Sequence, residues 1–176
     1  VGDQLLQADK IFLNVGARAV VPPIPGLDQV DFFTNSTIMD IDFLPEHLVI
    51  IGGSYIALEF AQMYRRFGSQ VSIIERGPML LAREDEDISI AIRDILEKEG
   101  IAIYCGASAE SISKTTDGLA VELTTPSGPA TVSGSHLLMA VGRRPNTDDL
   151  GVETAGLELD EGGFITVDDQ LRTNVP

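Results

Sequence analysis

Leu48-Val49-Ile50-Ile51-Gly52-Gly53-Ser54-Tyr55-Ile56-Ala57-Leu58-Glu59-Phe60 passes from an apolar run through a small-residue turn into an amphipathic segment. The unbroken apolar run fits a parallel strand buried on both faces, and the glycine pair lets the chain reverse with positive backbone angles. The helix expected next opens with unpaired amides at the positive end of its dipole. Those amides make a cradle for a pyrophosphate where no side chain blocks the backbone. Against the pattern G-x-G-x-x-[GA], Gly52 and Ala57 fill the outer positions and Ser54 replaces the middle glycine. Its hydroxyl can cap the helix or donate to a phosphate oxygen. A second strand, Val71-Ser72-Ile73-Ile74, ends in Glu75, 23 residues after Gly52. That is near the spacing of about 20 for an acid that hydrogen-bonds an adenosine ribose. Strand, turn, helix, strand and acid together read as a dinucleotide-binding unit; the alternative is a βαβ unit without a ligand.

Working outward, the helix places Ile56, Ala57, Phe60, Ala61, Tyr64 and Phe67 on one face and ends at Gly68, with Arg65 and Arg66 where the dipole favours cations. The next helix opens on Glu84-Asp85-Glu86-Asp87, a solvated acidic start rather than a metal site. It carries Ile88, Ala91, Ile92, Ile95 and Leu96 on its apolar face and closes at Gly100. The strand Ile101-Ala102-Ile103-Tyr104 completes a β-α-β-α-β half. Short alternating strands follow: Ser108 to Lys114, Leu119 to Leu123 after Asp117-Gly118, and Ala130 to Val132 after Ser127-Gly128-Pro129. This spacing predicts an antiparallel meander. A last buried strand, His136 to Val141, ends at Gly142, where the backbone can approach a partner closely. The expected fold is α/β, a Rossmann-like three-layer domain with a central parallel sheet and an antiparallel β-meander.

Before the main strand lie a short apolar strand, Ile11-Phe12-Leu13, the proline-rich Val21-Pro22-Pro23-Ile24-Pro25-Gly26, and a turn with one short helix between Phe32 and Leu44. The organisation expected is an edge segment and linker over 1–43, a nucleotide-binding domain over 44–147 and a return segment over 148–176.

A net charge of −15 across 176 residues argues against nucleic acid and anionic membrane as partners, since both recruit clustered Lys and Arg. An anionic dinucleotide then needs a local positive site, which a helix amino terminus and a few arginines supply. No apolar run reaches the roughly 18 residues that span a bilayer, and Val1-Gly2-Asp3-Gln4 lacks signal-peptide character; a cytoplasmic protein is expected. The single cysteine, Cys105, excludes an internal disulfide and reads as a small buried hydrophobe.

Separated motifs agree on one family. Leu44-Pro45-Glu46-His47, Ile50 to Phe60, Glu75-Arg76, Arg83-Glu84-Asp85 and Val141-Gly142-Arg143-Arg144-Pro145-Asn146-Thr147 resemble the nicotinamide-nucleotide domain of flavin-dependent pyridine nucleotide-disulfide oxidoreductases, in the mercuric reductase-like and dihydrolipoamide dehydrogenase-like branches. Val15-Gly16-Ala17-Arg18 and Leu171 to Pro176 resemble the segments that pass to and from that family's flavin domain. The resemblance implies NAD or NADP in this domain, FAD in the full-length protein, and a homodimer. It also implies hydride passed from NAD(P)H to flavin and on to a redox disulfide. The family's cysteine pair, FAD motif and dimerisation domain are absent from these residues, so the chain is expected to bind nucleotide without passing electrons onward.

Position by position, the resemblance puts Gly52, Gly53 and Ser54 on the pyrophosphate, with Ile56 beside them. Tyr55 becomes an aromatic lid between nicotinamide and flavin, Glu59 a carboxylate near the nicotinamide amide, Ala109 an adenine contact and Gly142 a backbone approach to the nicotinamide half. It assigns no metal site. Glu75 favours NAD because a carboxylate accepts from the ribose 2′-hydroxyl and repels a 2′-phosphate. Arg76 favours NADP if it turns inward, since a guanidinium pairs with phosphate. Two alternatives stand: the same domain in a flavoenzyme without disulfide chemistry, NADH oxidase-like or ferredoxin reductase-like, and a stand-alone NAD-binding module.

Overall fold

The computed structural model describes residues 6–176, so the opening Val1-Gly2-Asp3-Gln4 lies outside the described residues. The chain forms two compact units, Ala19–Gly142 and a smaller one made of the residues up to Arg18 together with Arg143–Pro176.

In the larger unit a five-stranded sheet runs in the order β2 (Phe32–Phe33), β9 (His136–Met139), β3 (His47–Ile51), β4 (Gln70–Glu75) and β5 (Ala102–Cys105). Every pairing is parallel. Helix α1 (Tyr55–Phe67) links β3 to β4, and α2 (Glu86–Lys98) links β4 to β5. Between β5 and β9 the chain makes the antiparallel meander β6 (Ser108–Thr115), β7 (Gly118–Thr125) and β8 (Gly128–Gly134). This is the expected three-layer α/β architecture.

The strand side chains show why three layers form. Successive residues of a strand point to opposite faces. On one face Leu48, Ile50, Val71, Ile73 and Leu138 pack with Ala57, Ala61 and Tyr64 of α1 and Leu96 of α2. On the other, Val49, Ile51, Ile74, Leu137 and Met139 pack with Ile112, Val121, Leu123 and Val132 of the meander. An all-apolar run therefore has a covered face on both sides, at about 1.5–3 kcal/mol for each large side chain buried. Ala57 and Ala61, both without exposed surface, let α1 lie close on the sheet. Gly68, at φ 115°, ends α1 by donating its amide to the Arg65 and Tyr64 carbonyls.

Several local expectations are corrected. Phe67 is exposed, and Leu58 takes a buried place on α1. On α2 the buried face is Ser89, Ile92 and Leu96, while Ile88, Ala91 and Ile95 face outward. The turn in register comes from Ser89, whose hydroxyl donates to the Leu80 carbonyl at 2.7 Å, so a polar residue is drawn inward by a hydrogen bond that hydrophobic periodicity does not register. The Phe32 to Leu44 stretch yields edge strand β2 and a 3-10 helix over Thr37–Asp40, whose Ile38 carbonyl accepts from the Tyr64 hydroxyl.

The smaller unit has little core. The short strands β1 (Ala17–Ala19) and β10 (Arg143–Pro145) pair, and a four-residue helix, α3 (Val152–Ala155), and a bridge between Leu159 and Ile165 follow. Polar contacts hold it: Arg18 donates to Asn146 Oδ1 at 2.8 Å and pairs with Asp148, and Asn146 donates to the Val15 and Gly16 carbonyls. Ile11-Phe12-Leu13, expected as a strand, is irregular, and Phe12 is 88% exposed. Among the described residues no strand lies beside it to complete a ladder.

Two imidazoles sit where β3 and β9 begin. His47 Nε2 pairs with the buried Ser72 hydroxyl at 2.9 Å, and His136 stacks on Phe33 and meets Phe43 with ring centroids 4.9 Å apart. Burial pushes both pKa values down, against a weaker upward pull of Glu46 on His47. The folded chain thus binds protons less readily than the unfolded chain. Their stabilising contribution is complete above the unfolded histidine value of about 6.5 and is lost as pH falls through the folded values. Urea midpoints at pH 7.5 and 5.5 should show a smaller acid-induced loss in His47→Gln and His136→Phe than in the unsubstituted chain; equal losses would place the acid sensitivity elsewhere. Independently, Leu138→Ala, which empties a fully buried position, should cost about 2–5 kcal/mol in urea unfolding without a change in slope.

Candidate functional site

The strand order runs from β3 outward to β4 and β5 on one side and to β9 and β2 on the other. The carboxyl ends of β3 and β9 therefore flank the point where the direction of winding reverses, the usual place for a ligand crevice in an open parallel sheet. Gly52 closes β3 at φ 118°, and a Cβ there would lie 2.3 Å from the Ala140 carbonyl oxygen at the end of β9. Only glycine fits both the angle and the space. Its amide donates to the Ile74 carbonyl at 2.8 Å, tying the turn to β4 as well.

Ser54 is the amino-terminal cap residue of α1, in extended conformation and exposed, and its hydroxyl makes no capping bond, contrary to one of the two roles expected of it. The first helical hydrogen bond is from the Leu58 amide to the Ser54 carbonyl, 3.1 Å. The amides of Tyr55, Ile56 and Ala57 precede it at the dipole's positive end, where an α-helix leaves its donors unpaired.

Glu75, the last residue of β4, folds back over the glycine turn. Its Oε1 accepts the Gly77 amide at 2.5 Å, and a Cβ on Gly53 would lie 2.8 Å from Glu75 Cβ, Cγ and Oε2. Gly53 is thus the residue that makes room for this carboxylate. The backbone around Glu75 is fixed in turn: its carbonyl accepts from Ala107 at 3.0 Å and that of Gly77 from Gly106 at 2.7 Å. Arg76 lies beside it with an exposed side chain. Cys105 stands opposite Glu75 in the β4–β5 register; burial pushes its thiol pKa up, which keeps it protonated.

The other candidates are spread more widely. Gly142, at φ 139°, follows β9 with open space where a side chain would project. Glu59 is exposed on α1, and Ile56 is half-buried in its first turn. Ala109, on β6 opposite Leu123, packs against the core between sheet and meander. Gly52, Gly53, Ser54 and Glu75 form one cluster, with Tyr55 and Ile56 continuing from it.

The loop after β4 belongs to this cluster too, although its leucines carry no expected site role. Leu80 and Leu81 are buried, and the Leu81 amide donates to the Gly53 carbonyl at 2.9 Å. Leu81 adopts φ 50°, an uncommon angle for a leucine, and the docking holds it there. Three residues on, Glu84 accepts a hydrogen bond from the Tyr55 hydroxyl, which pushes the phenol's pKa up. The adjacent leucines in a loop otherwise rich in polar residues are the sequence signal for this docking.

Comparison with known proteins gives the same picture. The chain is 39% identical over 175 residues to a mercuric reductase of Streptomyces lividans, covering 99% of this chain and 37% of that protein. It is 41% identical over 173 residues to the probable pyridine nucleotide-disulfide oxidoreductase RclA of Escherichia coli, covering 98% and 38%. The solved structure of that RclA, described as an HOCl-induced flavoprotein disulfide reductase, superposes with a TM-score of 0.86 at 38% identity over 99% of this chain and 39% of that one. This chain therefore spans under two-fifths of the length of these relatives. The fold thus recurs in a solved flavoprotein disulfide reductase, and with the description "Pyridine nucleotide-disulphide oxidoreductase" matching residues 1–176, the chain belongs to that family.

Proposed function

We propose that this chain holds NAD(H) for hydride transfer to a flavin in a complete oxidoreductase polypeptide. The observation that carries the reading is the Glu75 carboxylate, fixed by the Gly77 amide and laid across Gly53 at the end of β4. The residues fit the group: a side chain at Gly52 would strike Ala140 and one at Gly53 would strike Glu75, so only glycines let the turn close tightly ahead of the amides that open α1. Bound there, the nicotinamide supplies the hydride.

The chain's own residues bind and orient. The turn Gly52-Gly53-Ser54 and the amides of Tyr55 and Ile56 hold the pyrophosphate, with the Ser54 hydroxyl free to donate to it. Glu75 accepts from the ribose 2′-hydroxyl, and its negative charge repels a 2′-phosphate. Because the carboxylate is already bonded to Gly77, swinging it outward to let Arg76 turn in costs that bond, which supports NAD over NADP. Gly142 offers bare backbone to the nicotinamide half, Tyr55 shields it and Glu59 faces its amide. Ala109 contacts the adenine.

In the complete protein, the family supports hydride passing from the nucleotide to FAD and on to a redox disulfide, in a homodimer whose flavin domain meets this one through the flanks 1–43 and 148–176. The sole cysteine here, Cys105, is a protonated, partly buried thiol and takes no part. Among the described residues no helix is long and apolar enough to cross a membrane, which is consistent with a cytoplasmic flavoenzyme.

Calorimetric titration of this chain with NADH and NADPH at low salt tests the reading. NADH should bind more tightly, and Glu75→Ala should weaken it by about tenfold or more, the loss expected for a hydrogen bond to a charged group. Tighter NADPH binding that disappears in Arg76→Ala would overturn the choice of NAD. Absence of binding by either would overturn the site.

A further inference from the structure

Tyr55 is the first residue of α1 and is 51% exposed, so packing alone does not fix its ring. Its hydroxyl nevertheless has one partner, the carboxylate of Glu84. That carboxylate stands on a firmly held loop. The Glu84 amide donates to the Leu81 carbonyl at 2.8 Å, and the Leu81 amide donates to the Gly53 carbonyl at 2.9 Å. Leu80 and Leu81 are buried, and the Ser89 hydroxyl binds the Leu80 carbonyl. An exposed aromatic ring is thus tied to an anchored acid, on a loop bonded to the same glycine turn that opens the ring's own helix.

The direction of the tether follows from the sheet order. The Glu84 loop leaves the end of β4, while Gly142 follows the end of β9, and β3 lies between these two strands. A phenol held by Glu84 is drawn toward the β4 side, and the β9 side beside Gly142 stays clear.

We propose that Glu84 is a positioning residue for Tyr55, parking the phenol on the β4 side so that the nicotinamide half of a dinucleotide can enter beside Gly142. This rests on the reading of the glycine turn as the nucleotide site. The phenol's raised pKa, caused first by the hydrogen bond to Glu84, agrees with the pairing. Bonds between exposed partners of this kind shift populations only a few-fold. The role is therefore to bias where the ring rests rather than to hold the fold.

The test uses the full chain and two probes: NADH, and ADP-ribose, which carries the adenosine and pyrophosphate without the nicotinamide. Glu84→Ala should weaken NADH binding about threefold and leave ADP-ribose binding unchanged. Glu84→Gln, which keeps an acceptor oxygen, should recover part of the loss. Tyr55→Phe should reproduce the effect, and combining it with Glu84→Ala should add nothing further. In ultraviolet titration of the phenols, one tyrosine should ionise at lower pH in Glu84→Ala. Equal weakening of both probes would show a merely structural role and overturn the proposal, as would unchanged NADH binding in Glu84→Ala. Binding of ADP-ribose alongside either result would leave the nucleotide site standing. Failure of both probes to bind the unsubstituted chain would overturn the site and the positioning role together.

Discussion

The end of β3 passes so close to the end of β9 that Gly52 has no room for a side chain, and the larger unit is arranged around that contact. A Cβ there would sit 2.3 Å from the Ala140 oxygen. The same residue donates to Ile74, so one turn joins the ends of three neighbouring strands. The turn leads directly into α1, whose first residues Ser54 and Tyr55 are exposed. Gly53 adds to this packing by giving the Glu75 side chain a place to lie. The candidate site is consequently made by close packing of main chain, with side chains added at its margins.

Much of this was legible before any coordinates. An apolar run ending in glycines, an amphipathic stretch and a second strand ending in an acid are local patterns, and each maps onto β3, α1 and β4. The meander was legible because its turns carry Asp117-Gly118 and Ser127-Gly128, which punctuate short strands. The acid's place at the end of the second strand was readable from the sequence. Its tether to Gly77 was less so, because a carboxylate can turn either way until the next loop is placed.

The misread features share a physical cause. Hydrophobic periodicity ranks faces by side-chain type and is blind to a polar group whose burial is repaid by one well-placed acceptor. Ser89 displaced Ile88 and Ile95 from the inner face of α2 in this way. Phe67 is the last residue of α1, exposed and edge-on to the buried Tyr64 ring. Ile11-Phe12-Leu13 has strand-forming residues but no neighbour among the described residues, and strand propensity without a ladder does not make a strand. The pairing of Tyr55 with Glu84 spans 29 positions and links two exposed residues, so neither composition nor period could announce it.

The histidines and the glycine turn occupy opposite ends of the same strands. With five residues in β3, His47 and Gly52 are separated by roughly 15 Å along the strand. That exceeds the Debye length of about 8 Å at physiological ionic strength. A proton taken up at the His47 and His136 end therefore stands more than a Debye length from the glycine turn, so acid loosens the base of the sheet at a distance from the candidate site. The length of one short parallel strand thus separates the acid-sensitive base of the sheet from its candidate site.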